Sequence, residues 1–549
     1  MEDMNLVKKT DVVDALIVGG GTSGGVVAKH LAEAGLKVVV LEQGDWPDRN
    51  ALPGEKVEFE LIGGKQWWPN PNVRDNAADY PINLDESDVE IWMYNGVGGS
   101  SVLWAGCWIR PLPADFRVRT MDGVADDWPI SYDDLLPYYQ EMDHEIGASA
   151  KPGNTAYPPD SRPAPTDALP INPSGRAAAK GMNKLGWHWW PGHNGMPSQD
   201  YHDQKQCARL GVCRMGCPNN SKFSSDLTHF PIAIRHGARV VTGARVSEIT
   251  VDENGRANGA KYFRNGRQHS ISASRVIVAC NGVGTPRLLL MSKSDRFPNG
   301  LANSSGLVGK RLMTHPYGTT VGIYDDYLED WIGPSGEMIQ SFQFYESDAS
   351  RGFVRGAKWV IQGSGGPLTM VGRMKQNGEW PDDFWGENFC ARMKEAIGHT
   401  IEWAVVPEDL PEESNYVDLD PNLKDTDGLP SPRIHYKVSE NTRRLMQFHL
   451  ERTLEAHYAA GAKRAWIKDA FYPSGHNLGT AKMGNDRRTS VVDGYGRTHD
   501  VPNLYIVDGS VFTTSTGVNP TATICAIAKR TAEQIVKEAQ VQPTGAIYA

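Results

Sequence analysis

The N-terminal part of the chain alternates between continuous apolar runs and an amphipathic pattern. Ala15–Val18 is a short apolar run that leads into a glycine-rich turn, and Lys37–Leu41 is a second run of the same kind. Between them, Val26–Ala34 has its apolar residues at helical spacing. Short apolar runs bounded by turns are typical of strands that are buried on both faces of a parallel sheet. The pattern therefore predicts a strand–turn–helix–strand unit over residues 11–44.

The same style returns in the middle and at the end of the chain. It predicts a helix over Phe230–Gly237, a buried strand over Arg275–Cys280, a strand over Leu504–Val507 and a final helix over Thr521–Ala539. Further strands are predicted over Ala238–Thr242, Val246–Val251 and Ala260–Phe263. Separate segments of the chain are thus expected to build one nucleotide-binding domain.

Between about residues 311 and 470 the pattern changes to short alternating segments. Strands are predicted over Thr319–Tyr324, Ala357–Gln362, Thr400–Val406, Asn415–Leu419 and Ile434–Val438. Strict alternation is typical of an antiparallel sheet with one face covered, and the long amphipathic helix Glu440–Ala460 is part of the same region.

Two local signals lie further upstream. Ser131–Asp134 has the spacing of a capping box, which predicts that a helix over Leu135–Ile146 begins there. Seven prolines between Pro152 and Pro173 predict an extended surface loop. Residues 45–90 are polar and are expected to be irregular.

Together these patterns predict a mixed α/β (α+β) fold in which a Rossmann-like domain carries an inserted substrate domain. The inserted domain is expected to rest on an antiparallel sheet covered by helices. The Rossmann-like domain is expected to comprise residues 1–125, 205–312 and 470–549. The substrate domain is expected to comprise residues 126–204 and 313–469, including the proline-rich loop 152–173.

Composition narrows the function classes. A chain of 549 residues is too long for one simple core, and its net charge of −10 without basic clusters argues against nucleic acid or an anionic membrane as the main partner. No apolar run reaches the roughly 18 residues of a membrane span. Residues 1–9 contain no apolar segment, so no signal peptide is expected in this chain. Seven cysteines at this size do not predict a disulfide framework.

The first candidate binding motif is Gly19–Gly24, Gly-Gly-Gly-Thr-Ser-Gly, with Glu42 at the end of the second predicted strand. In the dinucleotide fingerprint, the glycines allow a tight turn, close approach to the pyrophosphate and packing of helix on strand, and the acid accepts from the ribose hydroxyls. Residues 21–25 also fit Gly-x-Ser-x-Gly, the nucleophile elbow of hydrolases, which leaves Glu42 unexplained.

Two further motifs are rich in glycine and hydroxyl groups. Residues 95–106 place Gly98, Gly99, Ser100 and Ser101 together, a composition that lets the backbone approach a ligand closely. A second set comprises Ser474-Gly-His476, Asp508-Gly509-Ser510 and Asn519-Pro-Thr521. Because Asn519 precedes the final helix, the N–H groups of that helix are expected to face a ligand oxygen.

The fourth motif is Cys207-x5-Cys213-x3-Cys217-Pro218. Three thiolates in one loop suit an iron–sulfur cluster, and a Cys-Pro ending is typical of cluster loops. Zinc with His202 as the fourth ligand, and a loop of thiols without metal, stay open as alternatives.

On these motifs the chain resembles the glucose–methanol–choline oxidoreductases over nearly its full length. Within that family it is similar to the flavoprotein large subunits of bacterial gluconate, fructose and glucose dehydrogenases, on residues 128–139, 303–309 and 498–500 and on the three cysteines. The resemblance implies that the N-terminal fingerprint binds FAD. It further implies that His476 and Asn519 form the catalytic pair, with His476 taking the hydroxyl proton. Because residues 98–104 contain no histidine, we expect FAD to be bound without a covalent link.

The cofactor-binding residues that the motifs and the resemblance imply are Gly19, Gly21, Thr22, Ser23, Gly24, Glu42, Gly98, Gly99, Ser100, Ser101, Trp104, Ala105, Val246, Asp508, Gly509, Asn519 and Thr521. The implied ligands of a 3Fe–4S cluster are Cys207, Cys213 and Cys217.

The implied reaction is oxidation of a secondary or anomeric hydroxyl of a sugar or glycoside, by hydride transfer to flavin N5. Electrons are then expected to pass through the cluster to a cytochrome or quinone. Expected partners are a small export or assembly subunit and a cytochrome c or other acceptor. Co-export with a signal-bearing partner implies a periplasmic location, with the cytoplasm as the alternative. A sugar oxidase that uses O2 without a cluster, and a lyase on the same scaffold, are the rival functions.

Overall fold

The computed structural model describes residues 12–61, 78–363, 365–472 and 475–541. It confirms the N-terminal unit as strand Ala15–Val18, helix Thr22–Glu33 and strand Val38–Leu41. The helix begins four residues before the predicted start at Val26. Its first turn consists of Thr, Ser and two Gly residues, which carry no apolar signal.

A parallel sheet is the base of the nucleotide-binding region. Its five strands in the described residues lie in the order Leu504–Ile506, Val276–Val278, Ala15–Val18, Val38–Leu41 and Arg239–Val241. Three distant segments of the chain therefore meet in one sheet, as the pattern predicts. Gly19, Glu42 and Asp508 lie just beyond the carboxyl ends of three strands of this sheet, the edge at which open α/β sheets bind ligands.

A second, antiparallel sheet has six strands in the described part of the chain. In sheet order they are Arg464–Tyr472, Tyr317–Ile323, Thr400–Pro407, Ala357–Gln362, Ile339–Ser341 and Trp190–Pro191. Helix Glu440–Ala460 packs on this sheet and on helix Pro173–Leu185. The sequence pattern does not predict strand Arg464–Tyr472, because charged residues interrupt the alternation of polar and apolar positions there.

The prediction that residues 415–419 and 434–438 belong to the large sheet is wrong. Tyr416–Lys424 and Pro430–Tyr436 form a separate sheet with Asn83–Ser87. Their buried side chains pack with Val283 of helix Asn281–Met291. An alternation of polar and apolar residues indicates that a segment is a strand, but it does not indicate which other strand pairs with it. Asn83–Ser87 also interrupts the segment 45–90 that we expect to be irregular, since its polar sequence gives no strand signal.

The remaining predictions concern the edges of the sheets. The capping box is confirmed, because Ser131 Oγ accepts from the Asp134 N–H at 3.1 Å and Asp134 Oδ2 accepts from the Ser131 N–H at 2.8 Å. Helix Tyr132–Glu145 follows it and packs against the final helix Thr521–Val541. Residues 152–172 contain neither helix nor strand, as predicted.

The other elements complete the mixed α/β fold, which is confirmed. A further sheet comprises Val12–Val13, Arg267–Ala273, Ala257–Arg264 and Arg245–Val251. Shorter helices lie at Val118–Asp122, Ser225–Thr228, Phe230–Arg235, Pro367–Arg373 and Glu387–Ala396. The domain boundaries given above stay a prediction. No helix in the described ranges is long and apolar enough to cross a membrane.

Candidate active site

A cavity of about 550 Å³ opens between the carboxyl edge of the parallel sheet and the six-stranded sheet. Most of the predicted site residues line it: Gly19, Gly21, Thr22, Ser23, Glu42, Gly99, Ser100, Ser101, Trp104, Ala105, Val246, His476, Asp508, Gly509, Asn519 and Thr521. Gly24 and Gly98 lie outside the lining and are packed against protein. Ser474 lies outside the described residues.

The glycine turn at one end of the cavity fits a pyrophosphate. A Cβ added at Gly24 would lie 2.1 Å from the carbonyl oxygen of Gly19, so Gly24 is a packing position. A Cβ added at Gly21 would meet only the Cα of Gly99, at 3.8 Å, so the turn leaves room on the cavity side. Helix Thr22–Glu33 begins there without a side-chain cap and without an acidic residue in its first turn. An anion is favoured at such a helix start.

Glu42 is held in a fixed orientation at the same end. Its carboxylate accepts from the N–H of Gly20 at 2.6 Å and from the N–H of Gly44 at 2.8 Å. These bonds hold the carboxylate at the end of the second strand, the position from which the acid of a dinucleotide fingerprint accepts from ribose hydroxyls. Asp508 is similarly fixed, by the Ser510 N–H at 2.9 Å and the Thr285 hydroxyl at 2.6 Å.

Lys222, which the sequence did not single out, anchors the glycine-rich loop of residues 98–105. Its ammonium group donates to the carbonyl oxygens of Ser101, Val102 and Trp104, at 2.8–3.1 Å. Lys222 is 1% exposed, and burial lowers its pKa to about 8. In the trans peptide that joins Trp104 to Ala105, the C=O and N–H bonds point in opposite directions. The Trp104 carbonyl points towards Lys222, so the Ala105 N–H points away from it.

A second histidine, also absent from the sequence prediction, contacts His476. The Nε2 atom of His315 lies 2.7 Å from the Thr516 carbonyl oxygen, and its Nδ1 atom lies 2.8 Å from His476 Nδ1. A carbonyl oxygen can only accept, so His315 carries its proton on Nε2. Burial lowers the pKa of His315 to about 4, which keeps this ring neutral with an acceptor at Nδ1.

The tautomer of His476 follows from that of His315. His476 donates from Nδ1–H, and its Nε2 atom carries the basic lone pair. Burial, together with His315 and Lys358, holds the pKa of His476 well below its ordinary value. The ring is therefore neutral at pH 7, the form that accepts a proton.

Asn519 and Tyr317 form the polar pair beside His476. The Asn519 amide N–H donates to Tyr317 Oη at 2.9 Å, and the Tyr317 and His476 rings meet edge to face at 5.7 Å. Burial raises the pKa of Tyr317, so its own O–H stays protonated and can donate. Asn519 Oδ1 has no hydrogen-bond partner among the described residues. The pair can therefore both donate to and accept from an alcohol.

The cysteine loop contributes Gly211, Val212, Arg214 and Met215 to the lining of this cavity, but its three cysteines lie outside the lining. Cys207 and Cys213 are buried, and Cys217 Sγ donates to Asn219 Oδ1 at 3.2 Å. Burial and the two neighbouring cysteines raise the pKa of Cys207 to about 12. In the part of the chain that the structure describes, no three His, Cys, Asp or Glu side chains are arranged to hold a metal ion.

Comparison with known proteins identifies the family. Residues 13–317 and 411–528 match family models that are both described as GMC oxidoreductase. The chain therefore belongs to the GMC oxidoreductase family. It is an FAD-dependent oxidoreductase of the class that acts on alcohols and sugars.

Its curated relatives extend over almost the whole chain. It is 38% identical to a 2-methyl-1,2-propanediol dehydrogenase of Mycolicibacterium austroafricanum, over 96% of both chains. It is 28% identical to a fructose dehydrogenase large subunit of Gluconobacter japonicus, over 96% of this chain and 98% of the relative. Among solved structures, pyridoxine 4-oxidase from Mesorbium loti has the same fold, with a TM-score of 0.66 and 17% identity over 95% of this chain and 99% of that one.

Proposed function

We propose that the protein is a dehydrogenase that oxidises a secondary or anomeric hydroxyl of a sugar or glycoside. The observation that carries the proposal is the histidine pair. His315 presents His476 as a neutral base in the cavity, and Asn519 and Tyr317 lie beside it. The glycine turn and Glu42 at the other end of the cavity fit the pyrophosphate and ribose of FAD.

The residues at this end of the cavity have separate roles in the proposed reaction. His476 Nε2 takes the proton of the substrate hydroxyl, and Asn519 with Tyr317 holds that hydroxyl in position. Bound FAD supplies the acceptor for the carbinol hydride. A positioned base of this kind contributes typically about 10²–10⁴-fold to a rate. Alignment of the carbinol carbon by Asn519 and Tyr317 adds to this, because it removes orientational freedom before reaction.

Anaerobic mixing with sugars and glycosides tests this function. We expect substrate to bleach the flavin absorption under argon, which a lyase with structural FAD would not show. The rate of flavin reoxidation in air then distinguishes a dehydrogenase from an oxidase. A dehydrogenase reoxidises slowly in air and rapidly with an artificial acceptor, whereas stoichiometric hydrogen peroxide would identify an oxidase.

The iron–sulfur cluster, the partners and the location form a separate proposal. The spacing of Cys207, Cys213 and Cys217 and the likeness to dehydrogenase large subunits support a 3Fe–4S cluster, a small export subunit, a cytochrome c acceptor and a periplasmic location. The three thiols would have to converge to bind iron. Hydroxyl oxidation at His476 does not depend on them, so the first proposal stands without this one.

A further inference from the structure

The cavity continues past His476 along one face of the six-stranded sheet. The contacts of strand Tyr317–Ile323 decide which face this is. A Cβ added at Gly318 would lie 2.3 Å from Met446 Sδ, and one added at Gly322 would lie 2.6 Å from the ring of His457, so these positions face helix Glu440–Ala460. Successive strand residues point to opposite faces, so Tyr317 and Thr319 face away from that helix, and both line the cavity.

A β-bulge adds two charged side chains to this face. Thr319 pairs with Asp469, but Thr320 pairs with Ile467, so Lys468 is an extra residue in its strand. Bulges redirect side chains locally. Both Lys468 and Asp469 line the cavity as a result, although neighbours in a regular strand would point to opposite faces.

The charged side chains on this face form ion pairs with one another. Glu402 Oε2 lies 3.0 Å from Arg373 Nε and 3.5 Å from Lys468 Nζ, and Lys468 Nζ lies 3.2 Å from Asp469 Oδ2. Burial favours the neutral form of Glu402, but Lys468, Arg373 and Arg214 outweigh it and hold its pKa below the ordinary value. Glu402 is therefore ionised, and the face presents fixed donors and acceptors side by side.

Charge balance decides what kind of group this face can bind. The cations that line it are Arg214, Arg373 and Lys468, and the carboxylates that line it are Glu402 and Asp469. A third carboxylate, Asp330, is buried outside the lining and lies 3.5 Å from Arg373. The signs cancel, so a carboxylate on the substrate gains no net Coulomb attraction there. A hydroxyl can donate to Asp469 and accept from Lys468 at once.

The distance of this face from the residues beside His476 determines where on the substrate such a hydroxyl would lie. Thr319 follows Tyr317 by two residues on one strand, a separation of about 6.6 Å. Thr319 Oγ1 is 3.4 Å from Asp469 Oδ2, so the three side chains converge. A sugar ring or a short polyol chain spans this distance from the hydroxyl that is held beside His476.

We propose that Thr319, Lys468 and Asp469 form a subsite for a second, neutral hydroxyl of the substrate. The enzyme then prefers polyhydroxy compounds both to simple alcohols and to hydroxy acids. This inference rests on the proposed function, whose reaction occurs at the other end of the same cavity. A site built to hydrogen-bond a substrate hydroxyl rejects the analogue that lacks it by much more than lost contact area alone would predict.

Three compounds with one carbon ring provide the test. Cyclohexanol, cyclohexane-1,4-diol and 4-hydroxycyclohexanecarboxylate are mixed anaerobically with the FAD-loaded enzyme, and the second-order rate constant of flavin reduction is measured for each. We expect the diol to react on the order of 10²-fold faster than cyclohexanol, and the hydroxy acid to react more slowly than the diol. In Asp469→Asn the ratio of diol to cyclohexanol should fall about tenfold, the value of one charged hydrogen bond.

Asp325→Asn is the matched control, because Asp325 pairs with Lys463 at an exposed site. It should keep the ratio of the parent enzyme. Equal rate constants for diol and cyclohexanol, a preference for the hydroxy acid, or an unchanged ratio in Asp469→Asn would each overturn the subsite. If none of the three compounds reduces the flavin, the subsite is also wrong. Reduction by a panel of sugars then decides separately whether the proposed function survives.

Discussion

The hydrogen bond between His315 and His476 shows what a single residue contributes to this site. Loss of the His315 acceptor would free the His476 ring to rotate and to exchange tautomers. In His315→Ala we expect flavin reduction at saturating substrate to slow by about tenfold or more, because part of the base contribution depends on orientation. His315→Gln, whose amide oxygen can accept from Nδ1–H, should recover part of the rate. Stopped-flow reduction under argon measures all three proteins.

His476→Ala should cost more than His315→Ala, about two orders of magnitude or more, with FAD content unchanged. Asn519→Ala should cost less than His476→Ala, because Asn519 orients the hydroxyl and does not take its proton. A native reduction rate in His476→Ala would show that another group is the base.

The pH dependence of the same step follows from the low pKa values of both histidines. A base whose pKa is lowered is neutral above that value and loses activity only as the pH falls through it. The reduction rate of the native enzyme should therefore stay on its plateau from pH 8 to well below 6.5, the ordinary value for histidine. A midpoint near 6.5 would contradict the buried environment of the pair.

Secondary-structure elements are joined by a buried ion cluster around Arg355. Its guanidinium contacts Asp115 in the 3-10 helix Pro113–Phe116, Asp122 at the end of helix Val118–Asp122, and Glu408 just after strand Thr400–Pro407. Tyr345 links Asp115 to the Gly517 N–H beside Asn519. Arg355→Met would leave buried carboxylates without a cation, at a cost of about 3–5 kcal/mol of unfolding free energy at pH 7. Arg488→Met, which removes an exposed pair with Asp486, is the matched control and should change little.

The loss in Arg355→Met should depend on pH. Burial raises the pKa of Asp115 and of Glu408, and without Arg355 both values rise further. Protonation removes the unpaired charges, so the destabilisation should shrink as the pH falls through about 7, the pKa to which burial raises Asp115, and should be small at pH 5. Thermal unfolding at pH 7.5 and pH 5 measures this, and an equal loss at both pH values would refute the electrostatic cause.

The elements also show where sequence prediction succeeds and where it stops. Glu440–Ala460 and the capping box at Ser131 depend on local spacing, and the structure has both. The partner of Tyr416–Lys424 depends on apolar contacts with a distant helix, and the sequence pattern assigned it to the wrong sheet.

The candidate site likewise contains residues that the sequence predicts and residues that it does not predict. The glycine turn, Glu42, His476 and Asn519 belong to recognisable motifs and line one cavity. His315, Tyr317 and Lys222 acquire their roles only from contacts across the fold, which no spacing encodes. The His315-Pro316 dipeptide at the start of strand Tyr317–Ile323 is the one local sign that a histidine is fixed there.

For the molecule as a whole, we expect retention of FAD to depend on the glycine-rich loop of residues 98–105, which Lys222 holds in place. Lys222→Met leaves three buried carbonyl oxygens without their donor, and each lost partner costs about 1–3 kcal/mol. We expect lower FAD content after purification and a lower melting temperature. Lys205→Met removes an exposed pair with Asp200 in the neighbouring segment and should retain its FAD. Native FAD content and stability in Lys222→Met would show that the loop holds its shape without the ammonium group.

The mode of FAD attachment is a further property of the whole molecule. Residues 98–104 offer no histidine for a covalent bond, so acid precipitation should release the yellow colour into the supernatant. Absorbance of the supernatant and the pellet measures this. Flavin that stays with the pellet would require another attachment residue.

Electron transfer out of the molecule depends on whether the cysteine loop binds iron. If it does, purified protein should contain about three irons per chain and absorb broadly beneath the flavin bands. Thiolates bind metal only when deprotonated, so iron binding must overcome the raised pKa of Cys207 and draw the three sulfurs together. Cys213→Ser should then lose iron and transfer to the physiological acceptor, while substrate still bleaches the flavin. Cys390→Ser, at an exposed cysteine, is the matched control. Iron-free protein with native turnover through its acceptor would exclude the cluster and leave the hydroxyl chemistry at His476 intact.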